Sequence, residues 1–177
     1  MKKLSGVICE HLFADSEANV YAVLDGASVP KLLEHLAPHA GEYECLYRGE
    51  LKPDLAAAAP YLVSLKEDSE LTQWIVGEGW GKHWGVFAIC PAPLPVLRRH
   101  FRTFLVVHTS EGKPLYFRYY DPRVLRIHLP TCNAEELTAM FGPVRAYVME
   151  AEKPDTLMQF RVKDGVLASE TKALGEG

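Results

Sequence analysis

Residues 115–130, LYFRYYDPRVLRIHLP, constrain the fold most, because a strand pattern there runs directly into a helix start. Aromatic and branched side chains recur with a period of two along the first six residues, which predicts a β-strand. Asp121 can then accept hydrogen bonds from the free N–H groups of a first helical turn, and Pro122 suits the first helical position. We therefore predict a strand over residues 115–120 followed at once by a helix over residues 122–127.

Three arginines surround the one carboxylate of this stretch. Arg118 precedes Asp121, and Arg123 and Arg126 follow it on the predicted helix. In one interpretation, Asp121 caps the helix and pairs with Arg118 or Arg123 through bidentate hydrogen bonds. In the other interpretation, the remaining arginines face a groove and bind an acidic partner. Asp121 and Pro122 form the structural corner in both cases.

Short strand patterns alternate with short amphipathic helices along the rest of the chain, which predicts an α/β fold. Further strands are predicted over residues 20–24, 43–47, 61–65, 84–89 and 104–108, and helices over residues 29–37, 70–76, 94–103 and 134–141. The strand, helix, strand order at the N-terminus predicts a parallel unit. A hairpin connects the two strands on either side of the glycine-containing loop TSEGK, so we expect a mixed sheet flanked by helices.

The chain is expected to form one compact domain, because 177 residues can bury a substantial core and no repeat or low-complexity linker divides them. We divide it into an N-terminal lead-in at residues 1–19, an α/β domain at residues 20–148, and C-terminal strands with a loose tail at residues 149–177. The C-terminal part is predicted to be an antiparallel meander, with Asp164-Gly165 as a two-residue turn.

The segment GEGWGKHWG interleaves glycines with tryptophans, a composition shared with phosphate-binding loops. It lacks the Walker spacing and the Lys-Ser/Thr ending, and a dinucleotide fingerprint should follow a strand and open a helix. We interpret it as a tight loop whose tryptophans pack on the sheet. The alternative is that they partly expose a flat aromatic anchor for a protein partner.

Composition is that of an ordinary globular protein, with 48% hydrophobic and 24% charged residues. We expect a cytoplasmic protein with reduced cysteines and without membrane insertion, because no apolar run is long enough for a membrane span and the start lacks a convincing signal-peptide cleavage site. The net charge of −4 conceals a basic centre: residues 98–126 hold seven basic and two acidic side chains. This asymmetry is compatible with a local acidic partner or with internal charge balance, and it argues against general nucleic-acid binding.

His35 and His39 have the i,i+4 spacing of a metal-binding pair. However, Pro38 interrupts the helix between them, and no glutamate is placed as in the zinc-protease motif. We expect two surface histidines, with neither a metal nor another cofactor.

An enzyme would need a nucleophile beside a base, or paired acids in a cleft. The candidates are Cys132 with His128 or His100, and Asp121 with His108, none of them within a known catalytic signature. Cys132 lies just before a predicted helix, whose N-terminus could lower the pKa of the thiol. A small hydrolase or thiol enzyme that uses Cys132 is therefore the alternative function.

Several boxes of the sequence resemble one known family. FRYYDPRVL is preceded by a Trp-Gly segment and by LRRHFRTFLVV, and it is followed by LPTCNAEELTAMFGPV. In order and spacing, these boxes resemble the domain of the type VI secretion adaptor proteins, also called effector chaperones, over about residues 20–148. The resemblance implies a non-enzymatic protein that binds a toxic effector and helps to load it onto the secretion spike protein.

The local charge excess and the chemistry of binding hot spots predict where such a partner would bind, since hot spots are rich in Arg, Trp and Tyr. The predicted partner-binding residues are Arg98, Arg102, Arg118, Arg123, Arg126, Trp84 and Tyr120.

Overall fold

The computed structural model describes residues 2–175, with side chains from residue 4 onward. Its helices are α1 (Lys2–Leu12), α2 (Leu32–Leu36), α3 (Pro53–Ala58), α4 (Glu70–Gly79), α5 (Leu94–Arg102), α6 (Pro122–His128) and α7 (Ala134–Phe141). Its strands are β1 (Asn19–Asp25), β2 (Tyr43–Cys45), β3 (Pro60–Leu65), β4 (Gly85–Cys90), β5 (Val106–His108), β6 (Pro114–Tyr116), β7 (Ala146–Glu150), β8 (Thr156–Lys163) and β9 (Val166–Ala173).

Seven strands form one sheet in the order β2-β3-β1-β4-β7-β8-β9. The strand β1 pairs with β3, where Val20 lies opposite Leu65, and with β4, where Val20 lies opposite Ile89. The strands β7, β8 and β9 pair in sequence order, which confirms the predicted C-terminal meander. Asp164 and Gly165 both have positive φ in the turn between β8 and β9, as a two-residue type I′ turn requires.

Helices cover both faces of the sheet, so a core forms on each side. Alternate residues of β1 divide between the two cores. Ala22 and Leu24 face the core that contains α1, α2 and α4, whereas Tyr21 and Val23 face the core that contains α5, α6 and α7. The strand therefore has no solvated face. The predicted class is confirmed: an α/β fold in one compact domain, with a sheet flanked by helices.

The parallel unit predicted at the N-terminus is right in strand direction but wrong in strand pairing. The strands β1 and β2 run in the same direction, but β3 lies between them and is antiparallel to both. Where a mixed sheet was expected, the strand pairings in the described residues are all antiparallel. Continuous apolar runs are usual in parallel sheets because helices cover both faces of such sheets. Here an antiparallel sheet is covered in the same way, so the apolar pattern is the same.

The predicted hairpin forms, but it stands apart from the main sheet. Within the described residues, β5 and β6 pair with each other, Val106 opposite Tyr116, and with no other strand. The second strand ends four residues earlier than predicted, because Tyr119 turns into the core and donates its hydroxyl hydrogen to the Phe101 carbonyl over 3.0 Å. We call residues 106–116 the ribbon.

Both ends of the described chain pack against the central domain. The helix α1 inserts Ile8 and Leu12 into one core. Near the C-terminus, Leu174 is buried and its N–H donates to the Asp155 carbonyl over 2.8 Å. The predicted lead-in and C-terminal strands thus share the cores of the α/β domain, while the last two residues of the predicted loose tail lie outside the described part.

The glycine and tryptophan segment packs largely against the sheet and α4. Trp84 is buried, with its ring 5.0 Å from that of Trp74. Trp80 is half-buried and donates its indole N–H to the Pro154 carbonyl over 2.7 Å. A Cβ added to Gly79 would lie 2.6 Å from the Trp84 ring, so this glycine allows the close approach of α4 to the indole.

Two glycines of α4 provide a matched test of this packing. Gly77→Ala adds a methyl group to open space, and we expect it to stabilise the protein by roughly 0.5–1 kcal/mol because alanine favours the helix. Gly79→Ala drives a methyl group into the Trp84 ring, and we expect it to destabilise the protein by about 1–3 kcal/mol. Urea unfolding measures both effects, and equal changes would contradict the packing described.

Candidate functional site

A cluster of buried carboxylates and arginines joins the end of β1 to the start of α6. We call it the carboxylate corner, comprising Asp25, Arg118, Asp121 and Arg123. Both carboxylates are almost fully buried, with 2% of Asp25 and 3% of Asp121 exposed. Arg118 forms an ion pair with Asp25 and lies 3.8 Å from Asp121. Arg123 binds Asp121 in a bidentate manner, with its Nε 3.0 Å from Oδ1 and one terminal nitrogen 2.7 Å from Oδ2.

The local backbone prepares both carboxylates for burial. Asp121 caps α6 by accepting the Arg123 N–H over 2.9 Å, and proline follows it at the first helical position. Asp25 accepts the Ala27 N–H over 3.1 Å and the Ser28 hydroxyl over 2.7 Å. A buried charge is tolerated when it is paired and its remaining oxygens accept hydrogen bonds. Both conditions hold at the carboxylate corner.

Asp121 and Arg118 are both charged at neutral pH. Burial would raise the pKa of the Asp121 carboxyl, but hydrogen bonds from Arg123 and the nearby guanidinium charges hold it below its ordinary value of 3.8. Burial likewise disfavours the charged form of Arg118, yet the Asp25 carboxylate raises the pKa of this guanidinium above its ordinary value. Asp121 is therefore suited to holding charge in the structure rather than to exchanging protons with a base such as His108.

Arg126 also has an internal partner. From α6 it donates to the backbone carbonyl of Glu150, at the end of β7, over 3.3 Å. The buried carboxylate of Glu150 accepts the Gly81 N–H over 2.6 Å and contacts the His83 ring. His83 has a φ of 59°, in the left-handed region. This contact therefore fixes the tight loop between α4 and β4.

Asp121→Asn tests the carboxylate corner, because the amide retains a capping oxygen but not the charge. We expect the free energy of unfolding at pH 7 to fall by about 1–3 kcal/mol, since two arginines lose a buried partner. The folded pKa of Asp121 lies below 3.8, so its contribution is present above that pH and is lost as the pH falls through the folded pKa. The Asp121→Asn variant should therefore lose less unfolding free energy than the unmodified protein as the pH falls through this range.

Urea titrations between pH 7 and about pH 3 measure the difference. Asp15→Asn is the control, because it removes an exposed carboxylate that pairs with Arg145, and it should change stability less. Identical pH dependence of the unfolding free energy in Asp121→Asn and the unmodified protein would contradict the role given to the Asp121 carboxylate.

Arg102 acts as a clamp on the chain after β2. Its guanidinium donates to the backbone carbonyls of Cys45, Leu46 and Tyr47 at 2.9–3.0 Å. Burial, with the positive charges of nearby arginines, lowers its pKa from the ordinary value. Arg98, one turn earlier on α5, has its Nε 3.4 Å from a Glu44 carboxylate oxygen, without hydrogen-bond geometry.

Arg102→Ala should therefore destabilise the fold. We expect a loss of about 1–3 kcal/mol, because three backbone carbonyl groups, one of them on the buried Leu46, lose their donor. Arg99→Ala on the same helix is the control: Arg99 is exposed and makes no hydrogen bond or ion pair in the described part of the chain, so its removal should change stability by about 0.5 kcal/mol or less. Thermal unfolding followed by circular dichroism compares the two, and equal effects would contradict the clamp.

The two aromatic residues of the predicted partner surface lie in the cores. Trp84 is 7% exposed and Tyr120 is 4% exposed. Burial raises the pKa of the Tyr120 hydroxyl, and the nearby Tyr47 contributes to the same shift. Neither aromatic side chain offers appreciable area to a partner without rearrangement. Of the predicted residues, the structure groups Arg118, Arg123 and Arg126 near α6, and it places Arg98 and Arg102 together on α5.

An apolar groove lies between the ribbon and the segment that follows β2, with a volume of about 430 Å³. Leu46 and Leu105 are buried at its base, whereas Leu55, Val106 and Tyr116 are 48%, 40% and 73% exposed. Its lining residues are Leu46, Tyr47, Arg48, Leu51, Leu55, Arg102, Leu105, Val106 and Tyr116. Clustered exposure of large apolar side chains usually marks an interaction site.

Sequence reasoning identified one residue of this groove, Arg102. The missed signal is the composition of the hairpin, whose strands carry apolar side chains on both faces in FLVVH and PLYF. A surface hairpin packed on one side normally alternates apolar and polar residues. The hairpin was predicted to belong to the main sheet, with one apolar face on residues 115–120, so its apolar side chains were not assigned to a surface groove.

The environment of Cys132 does not favour the reactive thiolate that the enzyme alternative requires. Burial raises the pKa of this thiol, and the Glu136 carboxylate adds to the shift, opposite to the lowering expected at a helix N-terminus. The Cys132 Sγ lies 3.5 Å from the backbone carbonyl of His128, while the His128 ring packs edge-on against Phe117. The imidazole of His100 is half-buried and is hydrogen bonded to the Met140 carbonyl, with Nε2 and O 3.1 Å apart.

The two histidines with metal-like spacing have separate partners. His35 stacks on Trp74 with ring centroids 3.8 Å apart, and His39 lies 3.6 Å from Glu42. Among the described side chains, no group of three or more His, Cys, Asp or Glu is arranged to hold a metal ion. Within residues 2–175, no helix has the length and apolar character needed to span a membrane.

Comparison with known proteins identifies the family. Residues 20–139 match the family model described as a domain of unknown function, DUF4123, over more than half of the chain. The chain belongs to the DUF4123 family. No curated protein and no solved structure matches it. The DUF4123 range contains both the carboxylate corner and the whole apolar groove, whereas β7, β8 and β9 lie beyond it.

Proposed function

We propose that this DUF4123 protein is an adaptor that binds a toxic effector and helps to load it onto the spike protein of a type VI secretion system. The proposal rests on family membership together with the resemblance of the FRYYDPRVL box and its neighbours to the secretion adaptors. Under it, the protein acts in the cytoplasm by binding alone, without turnover and without a cofactor.

The observation that carries the proposal is the exposed apolar groove beside the ribbon. Large apolar side chains at this groove remain substantially exposed to water, namely those of Leu55, Val106 and Tyr116. Exposure of apolar surface to water is unfavourable, so covering this surface with a partner protein would provide a driving force for binding. The groove lies within the DUF4123 range, which suits a function carried by the family domain.

The arginines then divide between two roles. Arg118, Arg123 and Arg126 hold the strand-to-helix corner and the end of β7 in place, which makes them support for the domain. Arg102 lines the groove and also clamps the chain after β2. Reversing its charge would therefore disturb the fold as well as the surface, so a test of binding must use other residues.

Affinity purification of the tagged protein, from cells that express the secretion system, tests the adaptor function. We expect mass spectrometry to find one toxin-like protein in near equimolar amount at moderate salt, with or without the spike protein. Deleting the gene should abolish export of that toxin while other secreted proteins continue to leave the cell.

Cys132→Ala is the matched control for the enzyme alternative, and it should support normal export. Recovery of the protein alone, with toxin export unaffected by the deletion, would contradict the adaptor function. Loss of export in Cys132→Ala, in a variant that folds normally, would instead support thiol chemistry.

A further inference from the structure

The charged side chains that line the apolar groove are both cationic. They are Arg48 and Arg102. Arg102 is engaged by three backbone carbonyls. Arg48 is exposed, and in the part of the chain that the structure describes it has no ion pair and no hydrogen bond. The groove therefore combines an apolar lining with one guanidinium group that is available to a ligand.

Positive charge is concentrated around this guanidinium. Arg48 and Arg98 each act electrostatically on Arg102 and disfavour its charged form, so both lie close enough to repel it. Glu44 balances part of this charge through its contact with Arg98. An incoming carboxylate would relieve the remaining repulsion, whereas an incoming ammonium or guanidinium group would increase it.

We propose that the groove binds an acidic amphipathic segment of the effector, with apolar side chains against Leu55, Val106 and Tyr116 and a carboxylate on Arg48. This inference rests on the proposed adaptor function and adds the chemistry of the segment that is recognised. Apolar contacts provide most of the binding free energy in such an interface, and the charge pair provides orientation and selectivity.

A second copy of the protein fits the groove poorly. A two-fold interface places the same patch of both subunits together, so Arg48 and Arg102 of each copy would approach the same residues of the other. Like charges brought together in an interface disfavour that pairing. Nucleic acid has the right charge for the arginines, but it offers little to match the apolar side chains of the lining.

Photocrosslinking locates the bound segment. Tyr116→p-benzoylphenylalanine places the crosslinker on the groove, and Ile127→p-benzoylphenylalanine places it on an equally exposed position of α6, since Tyr116 is 73% and Ile127 69% exposed. Both full-length variants are expressed with the secretion system, irradiated and purified. We expect the first to crosslink to an effector segment that is rich in apolar residues and net negative, and the second to yield no such product.

Charge and apolar substitutions then test what the groove recognises. Arg48→Glu and Leu55→Glu should each reduce effector affinity by about tenfold or more, as hot-spot substitutions do. Lys163→Glu and Val166→Glu are the matched controls on the exposed β8–β9 hairpin, and they should retain the effector as the unmodified protein does. Circular dichroism and thermal unfolding establish that all four variants are folded.

These experiments distinguish a failure of the groove assignment from a failure of the proposed adaptor function. Equal effector retention by all four variants, a crosslinked segment that is basic, or a crosslink to a second copy would overturn the groove assignment while the adaptor function stands. Failure of the unmodified protein to retain any effector would overturn the adaptor function, and the inference would fall with it.

Discussion

The ion pair between the buried carboxylate of Asp25 and the half-exposed guanidinium of Arg118 is the interaction on which the arrangement of this domain depends. Asp25 ends β1, an interior strand of the sheet, and Arg118 lies in the turn that leads from the ribbon to α6. A carboxylate buried to this extent requires a partner, because its desolvation is otherwise unfavourable. The pairing therefore fixes where the chain returns from the ribbon. Asp121, shared between Arg118 and Arg123, then fixes the start of α6 at the same place.

The sequence predicted the elements of this fold well where a local physical rule applies. Asn133 and Glu136 have the spacing of a capping box at the start of the helix predicted over residues 134–141, and the structure shows both reciprocal hydrogen bonds. The Asp-Gly turn likewise predicted the last hairpin. The strand, helix, strand order correctly predicted that β1 and β2 run in the same direction, but it could not show that β3 lies between them. Element order reports the path along the chain and not which strands become neighbours in the sheet.

The site was harder to predict, because its residues meet only through the fold. The excess of arginine in residues 98–126 was visible in the sequence, but its division between internal partners and a surface was not. Arg118, Arg123 and Arg102 are engaged by groups up to 93 positions away, as in the Arg118–Asp25 contact. Arg48 lies outside the basic stretch altogether, and the fold alone brings it to the groove beside Val106.

The separation of the ribbon from the main sheet has a consequence for how such proteins diversify. Its turn is closed by a backbone hydrogen bond between Thr109 and Lys113, and its strands bond to each other. Residues inserted, deleted or exchanged there leave the register of the seven-stranded sheet unchanged. One wall of the groove can therefore change in length and composition while the rest of the domain maintains folding stability. Partner recognition can then evolve almost independently of folding.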